Sequence, residues 1–399
     1  MKILWVKSDF LHPTTKGGHI RTLEMLRWLH RWHEVHYVAF DEYGKNEEGV
    51  RRSSEYASKA YPIRWGISEK RSARFIGEVL GNLFSSQPIH LTRPRSGEMQ
   101  ALLRQLMEKE KFDALVCDFL TPCLNLPEPE RWVLFQHNVE TMIWRRHAET
   151  ASNGLAKWYY GLQARRLQEA ESRFCRKMRH VVAVSGVDAE MFRKEFGVER
   201  VTAVATGVDV EYFTPAGDKR TETGTELVFV GSMDWSPNED GIQWFVKEVL
   251  PLVRKQKADC RMRIVGRAPS EAIRRLAAEA GRIEVTGTVP DVRPHLWGGR
   301  VSIVPLRIGG GTRLKIYESM AARVPVVSTT IGAEGLEVAD GENIRLADDA
   351  KTFAAACVEL LTEEGRRLAL AESGWRLVKE RFSWEHVARE FEAILGRAT

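Results

Sequence analysis

Short apolar runs recur along the chain: KILWV, EVHYVAF, FDALVCDF, RWVLFQH, HVVAVS and VTAVAT, then ELVFVGS, CRMRIVG, RIEVTG, VSIVPL and VPVVSTT. Most are apolar at consecutive positions, and polar or amphipathic stretches of helical period separate them. That pattern predicts parallel strands buried on both faces beneath flanking helices. Two such series in tandem give an α/β chain of two doubly wound, Rossmann-like domains. A chain of 399 residues with 43% hydrophobic content is too long for one compact core and can fill two.

The rhythm breaks at TGVDVEYFTPAGDKRTETGTE, where Gly, Pro, Thr and charge replace apolar periodicity. The expected division is residues 1–208 as the first domain, 209–225 as a linker that permits hinge motion, 226–382 as the second domain, and 383–399 as a terminal helix. In that last segment Ser383 is an N-cap candidate and Val387, Phe391, Ile394 and Leu395 share one face, so packing back on the first domain is expected.

Charge changes the picture locally. Residues 1–210 carry 32 Lys+Arg against 26 Asp+Glu, and Arg131 to Arg179 alone holds 10 basic against 4 acidic residues. That run suits either a solvated helix face or an anionic partner: a phosphate-bearing substrate, an acidic membrane surface or nucleic acid. Nucleic acid is disfavoured, because no series of stacking aromatics accompanies the basic run. The five cysteines show no CxxC or Cys/His spacing, which predicts reduced thiols in a cytoplasmic protein, with no disulfide frame and no zinc site. No window approaches the ~18 apolar residues of a membrane span.

Open parallel sheets bind ligands at the carboxyl ends of their strands, so candidate chemistry is sought after each run. After KILWV, Gly17 and Gly18 open a helix whose backbone amides can approach an anion or a sugar oxygen; they also suit a plain tight turn. After RWVLFQ, His137 can bond a hydroxyl or take up a proton near neutral pH. Gly231-Ser232 after LVFV, and Gly287 to Val289 after RIEVT, either admit ligand atoms or simply turn the chain. In RIGGGTRLKIYE, Gly310, Gly311 and Thr312 precede a helix with Arg313 and Lys315 in its first turn and Glu318 further on. The spacing is not that of a Walker A loop. Cations at a helix N-terminus oppose its dipole, so their presence there is explained by an anion that neutralises both; alternatively they project into solvent. Glu318 can accept paired hydrogen bonds from vicinal hydroxyls such as a ribose offers.

With KGG, QHNVET, VVAVS, GVDVEYFTP, VFVGSMDWSPN, VTGTVPDV, KIYESMAARVPVVST, DGEN and FSWEHVAREF in this order, the chain resembles the retaining GT-B glycosyltransferases of family 4 over essentially its full length. The resemblance implies two Rossmann-like domains facing across a cleft, and a hexosyltransferase that moves a sugar from a UDP-, GDP- or ADP-sugar to an acceptor hydroxyl. The acceptor would be a sugar, a lipid-linked or a small molecule, in polysaccharide or glycoconjugate biosynthesis. It implies front-face retention without a covalent nucleophile, and no metal or other cofactor; no Asp-x-Asp motif is found. Glu318 matches the second glutamate of the family's E-x7-E motif and Gly310 stands where the first would be. Gly311 and Thr312 match positions contacting the donor sugar, His137 the active-site histidine, and Gly17 and Gly18 the glycine loop beside the diphosphate. Ser232 stands where the family places an arginine, so Arg313 and Lys315 are expected to supply the missing positive charge to the diphosphate. The alternatives are a nucleotide-sugar epimerase of the same fold and a non-catalytic nucleotide-sugar binding protein. Incubation with a UDP-sugar alone identifies the first by complete epimerisation. Donor binding without turnover identifies the second.

Overall fold

The computed structural model describes residues 1–14, 17–42, 44–66, 68, 72–151, 153–217, 227–308 and 314–397. It divides into two compact units, Met1–Ala205 with Val387–Thr399, and Thr206–His386.

The first unit is built on seven parallel strands: β1 (Lys2–Val6), β2 (Glu34–Glu42), β3 (Lys59–Trp65), β4 (Ala114–Asp118), β5 (Trp132–Phe135), β6 (His180–Ala183) and β7 (Val201–Ala203). Their order is β3-β2-β1-β4-β5-β6-β7, so the direction of winding reverses between β1 and β4. β4 and β5 are buried at every position, as runs apolar on both faces require. Helices α1 (Gly17–Trp32), α2 (Ala73–Leu83), α3 (Glu140–Thr150) and α4 (Gly154–Lys177) are among those that cover the sheet or extend from it. Side chains begin α2 and α4 by accepting orphan amides, Ser72 from Phe75 and Asn153 from Ala156. The apolar pattern did not announce β3: it lies at the sheet edge, carries Pro62 and buries only Ile63 fully.

The second unit has six parallel strands: β8 (Leu227–Val230), β9 (Met262–Val265), β10 (Ile283–Gly287), β11 (Val301–Val304), β12 (Val326–Ser328) and β13 (Arg345–Leu346). The order β10-β9-β8-β11-β12-β13 again reverses at the centre, between β8 and β11. Strand β13, two half-buried residues long, is too short for a pattern to reveal. Helix α5 (Leu314–Ala321) returns from β11 toward β12.

Residues 209–217, expected as linker, are built into the second unit. Asp209 caps a helical turn at Tyr212, Val210 and Phe213 are buried, and Trp297 Nε1 donates to the Phe213 carbonyl at 2.7 Å. Residues 218–225 of that segment lie outside the described residues. The last helix, α6 (Trp384–Arg397), follows Ser383, whose hydroxyl accepts from the His386 amide. Its residues from Val387 onward belong to the first unit, where Phe391 packs at 4.9 Å from Phe135 and 5.7 Å from Trp5, centroid to centroid.

Candidate active site

In the first unit the chemistry gathers at the winding reversal, at the carboxyl ends of β1, β4 and β5, where parallel sheets bind ligands. Lys7 follows β1, Asp118 closes β4 and His137 lies just past β5. Asp118 is wholly buried. Its Oδ1 is 2.8 Å from His137 Nε2, and its Oδ2 receives Thr22 Oγ1 at 2.7 Å, Trp5 Nε1 at 3.0 Å and the Lys7 ammonium at 3.2 Å. Burial works against this carboxylate, but Lys7, His137 and Thr22 outweigh it and hold it well below the usual range. Burial pulls the His137 imidazole down to about 3, overcoming the attraction of Asp118. The ring is therefore neutral at physiological pH and does not take up a proton there, contrary to one sequence-based expectation.

A neutral ring beside an ionised Asp118 carries its hydrogen on Nε2, which leaves Nδ1 as an acceptor. Nδ1 is buried and has no hydrogen-bond partner among the described residues. It points toward Gly18: a Cβ added there would sit 3.9 Å from Nδ1 and 2.8 Å from Phe119 Cζ. Gly18 thus has to be glycine for close approach, whereas Gly17 faces open space. Phe119 stacks on His137 with centroids 4.0 Å apart and planes at 11°, and the Lys7 ammonium lies 4.1 Å from the centroid of its ring. Phe119 holds a φ of 68°, a left-handed conformation that stores on the order of 1–3 kcal/mol.

The turn bearing His137 is fixed from below by buried Glu171 of α4. Its Oε1 accepts from Glu140 N at 2.9 Å and Gln136 Nε2 at 3.2 Å; its Oε2 accepts from Thr141 N at 2.9 Å and Thr141 Oγ1 at 2.6 Å. Burial raises the Glu171 carboxyl to about 7 against the pull of Thr141. Buried Arg21 adds a second brace, donating to the Gln136 carbonyl at 3.1 Å and the Val204 carbonyl at 2.6 Å.

In the second unit, Gly231 and Ser232 follow β8, at the corresponding reversal. A Cβ at Gly231 would stand 2.7 Å from Lys315 Nζ and 2.9 Å from Asn238 Nδ2, so a larger residue there would push the lysine from its place. Lys315 donates to Asn238 Oδ1 at 2.7 Å and lies 4.6 Å from the Phe229 ring centroid. On the other side, Ser232 Oγ donates to Asp234 and accepts from Arg267 Nε at 2.8 Å, while Arg267 pairs with Asp234 at 3.1 Å. Two cations from different elements, Lys315 and Arg267, therefore flank one turn. Glu318 is half-buried on α5, without a hydrogen-bond partner for its carboxylate among the described residues; burial raises its carboxyl and Lys315 opposes the rise. Gly287 ends β10 with φ 71° and Val289 lies half-buried in the loop beyond. Gly310, Gly311, Thr312 and Arg313 lie outside the described residues.

Sequence reasoning missed Lys7, Asp118, Phe119, Arg21, Glu171 and Arg267. Lys7 and Asp118 did leave a signal: each is a charge placed directly at the end of an apolar run. Arg267 left none, since its role depends on β9 lying beside β8.

Residues 15–212 match the family model described as Glycosyltransferase Family 4, and residues 224–363 that described as Glycosyl transferases group 1. Over 97% of both chains, this one is 20% identical to an uncharacterized 44.6 kDa protein in the cps region of Klebsiella pneumoniae. It is 26% identical over 267 residues to the MMP alpha-(1->4)-mannosyltransferase of Mycolicibacterium hassiacum, covering 63% of this chain and 62% of that one. Among solved structures, sucrose-phosphate synthase of Thermosynechococcus elongatus superposes with a TM-score of 0.69 at 14% identity, over 99% of this chain and 98% of that one. HepE of Anabaena in complex with UDP does so at 0.69 and 12% identity, over the whole of both chains. The fold is thus GT-B.

Proposed function

The chain belongs to the family 4, group 1 glycosyl transferases, and from that premise we propose that it moves a hexose from a nucleoside diphosphate to an acceptor hydroxyl with retention of configuration. The observation that carries the donor assignment is the pair Lys315 and Arg267 around the Gly231-Ser232 turn, at the carboxyl end of a central strand. Negative charge grows on the diphosphate as its bond to the sugar breaks, and fixed cations stabilise that charge selectively in the transition state. Arg267 thereby offsets the serine at position 232, and Arg313 adds to the same charge. The Glu318 carboxylate, with no hydrogen-bond partner among the described residues, accepts the two hydroxyls of the donor ribose. Glycine at 310 leaves that donor-sugar contact to backbone groups of Gly311 and Thr312. In the first unit His137 Nδ1 accepts a hydrogen bond from a sugar hydroxyl, its tautomer held by Asp118. Departure and attack occur on one face of the sugar, so no covalent nucleophile is assigned.

HepE was solved with UDP and with UDP-glucose, which supports a nucleoside diphosphate as ligand. All five cysteines are buried and none is in a disulfide, which suits the cytoplasm. Thermal unfolding with UDP, GDP and ADP, free and as sugar conjugates, tests the reading: a ligand at 100 times its Kd adds roughly 2.7 kcal/mol. If none raises the midpoint, the donor assignment is wrong. The anomeric configuration of the product, read by NMR, decides retention.

A further inference from the structure

Helix α2 is apolar on two faces: Phe75, Val79 and Leu83 are half-buried, and a second stripe stands in water. Two of its polar residues face inward: Glu78 accepts from Ser68 Oγ at 2.6 Å and Arg93 Nε at 3.1 Å, and buried Asn82 accepts from Gln163 Nε2 at 2.8 Å and donates to the Gln87 carbonyl at 3.0 Å. The second apolar stripe faces outward and ends on the residue that caps the helix. Ile76, Leu80 and Phe84, spaced i, i+4, i+8, are 51%, 55% and 94% exposed, and Gly77 and Gly81 between them meet nothing. A soluble helix that satisfies its carboxylate and amide inside while presenting an apolar stripe to water is arranged for a second apolar phase. Arg166 ties the end of α2 to α4 through the Asn82 and Leu83 carbonyls. About two to three turns earlier on α4, Trp158 and Leu155 are 53% and 76% exposed.

Positive charge lies beside α2 and near the start of α4. A cavity of about 370 Å³ behind α2 is lined by Arg74, Arg93 and Arg95 with Glu78 and Asn82. Arg93 is committed to Glu78 and Ser68, whereas Arg95 and Lys157 have no carboxylate partner among the described residues. At 11 residues α2 spans roughly 16 Å, about half of a bilayer core, so it can lie in an interface but not cross it. We propose that α2 docks the first unit on an anionic phospholipid surface, with Ile76, Leu80 and Phe84 among the acyl chains and Arg95 and Lys157 at the phosphates. The sequence directed attention to the basic run from Arg131 to Arg179; the apolar half of the contact lies outside that run. This inference does not depend on the donor assignment.

Flotation of the full chain with phosphatidylcholine vesicles, with and without phosphatidylglycerol, tests it. The wild type floats with the anionic vesicles and more weakly with the neutral ones. One chain carrying Ile76→Ser, Leu80→Ser and Phe84→Ser, all exposed positions, keeps its melting temperature and loses roughly 30-fold or more in partition coefficient. Arg95→Glu with Lys157→Glu abolishes the preference for phosphatidylglycerol. Three results overturn the proposal: wild type left in solution, the triple-serine chain floating like wild type, or a vesicle-free dimer that the triple-serine chain splits into monomers, which would make a second copy the occupant.

Discussion

The Asp118 cluster makes a quantitative demand. Replacing Asp118 by Asn keeps the side-chain shape but removes the charge facing the buried Lys7 ammonium at 3.2 Å, and puts an amide NH₂ against donors already aimed at that site from Trp5, Thr22 and His137. Breaking one side of a buried ion pair costs about 3–5 kcal/mol. For a unit of this size about 1 kcal/mol moves the midpoint by roughly 2–4 °C, so Asp118→Asn should melt about 6–20 °C below wild type near neutral pH. Adding Lys7→Met removes the orphaned charge, and the double variant should regain at least about 2 kcal/mol over the sum of the two single losses. The pH dependence has a fixed sign. Asp118 titrates below its ordinary value, so its contribution is present above the usual carboxylate range and is lost as pH falls through the depressed folded value. The gap between wild type and Asp118→Asn should therefore narrow in acid. Urea unfolding followed by circular dichroism at several pH values measures both quantities. A single variant within about 2 °C of wild type, or strictly additive single losses, would refute the account of the cluster.

Three further expectations follow from the two sites. Glu171 is held up at about 7 by burial, so the stability it contributes is complete below about 4.5 and drains away as pH rises through 7. The wild-type midpoint should fall between about pH 5 and 8 while that of Glu171→Gln stays flatter and lower in acid; parallel curves would contradict this. Gly18→Ala drives a methyl to 2.8 Å from Phe119, which is wedged between His137 and Lys7 and cannot retreat, so a loss of about 1–3 kcal/mol in thermal unfolding is expected and an unchanged midpoint is not. Lys315→Ala and Arg267→Ala should each lower kcat by about 10-fold or more with little change in melting temperature, and a single-turnover assay in which Arg267→Ala matches wild type removes that residue from the diphosphate.

Runs such as ALVCD and WVLF are apolar on both faces because their strands are covered on both faces, and that made the two parallel sheets legible. β3 escaped notice because an edge strand buries little, and residues 209–217 because Gly, Pro and Thr there fold around Val210 and Phe213 instead of staying free. At the site, His137 could be singled out by its place after a strand, but not its protonation, which depends on an aspartate 19 positions away and on total desolvation. Ser232 read as a loss of charge. The geometry supplies Arg267 from the neighbouring strand end, a relation set by strand order that no linear spacing encodes.

The last helix carries a consequence for how the protein is made. Trp5 and Phe135 are synthesised early, yet the ring that seals them, Phe391, emerges only after the whole second unit has been translated. At about 5–20 residues per second the wait is on the order of tens of seconds. During it the growing chain displays two large aromatic faces at the heart of its first sheet, so the interval in which a chaperone has most to protect is written into the position of one phenylalanine.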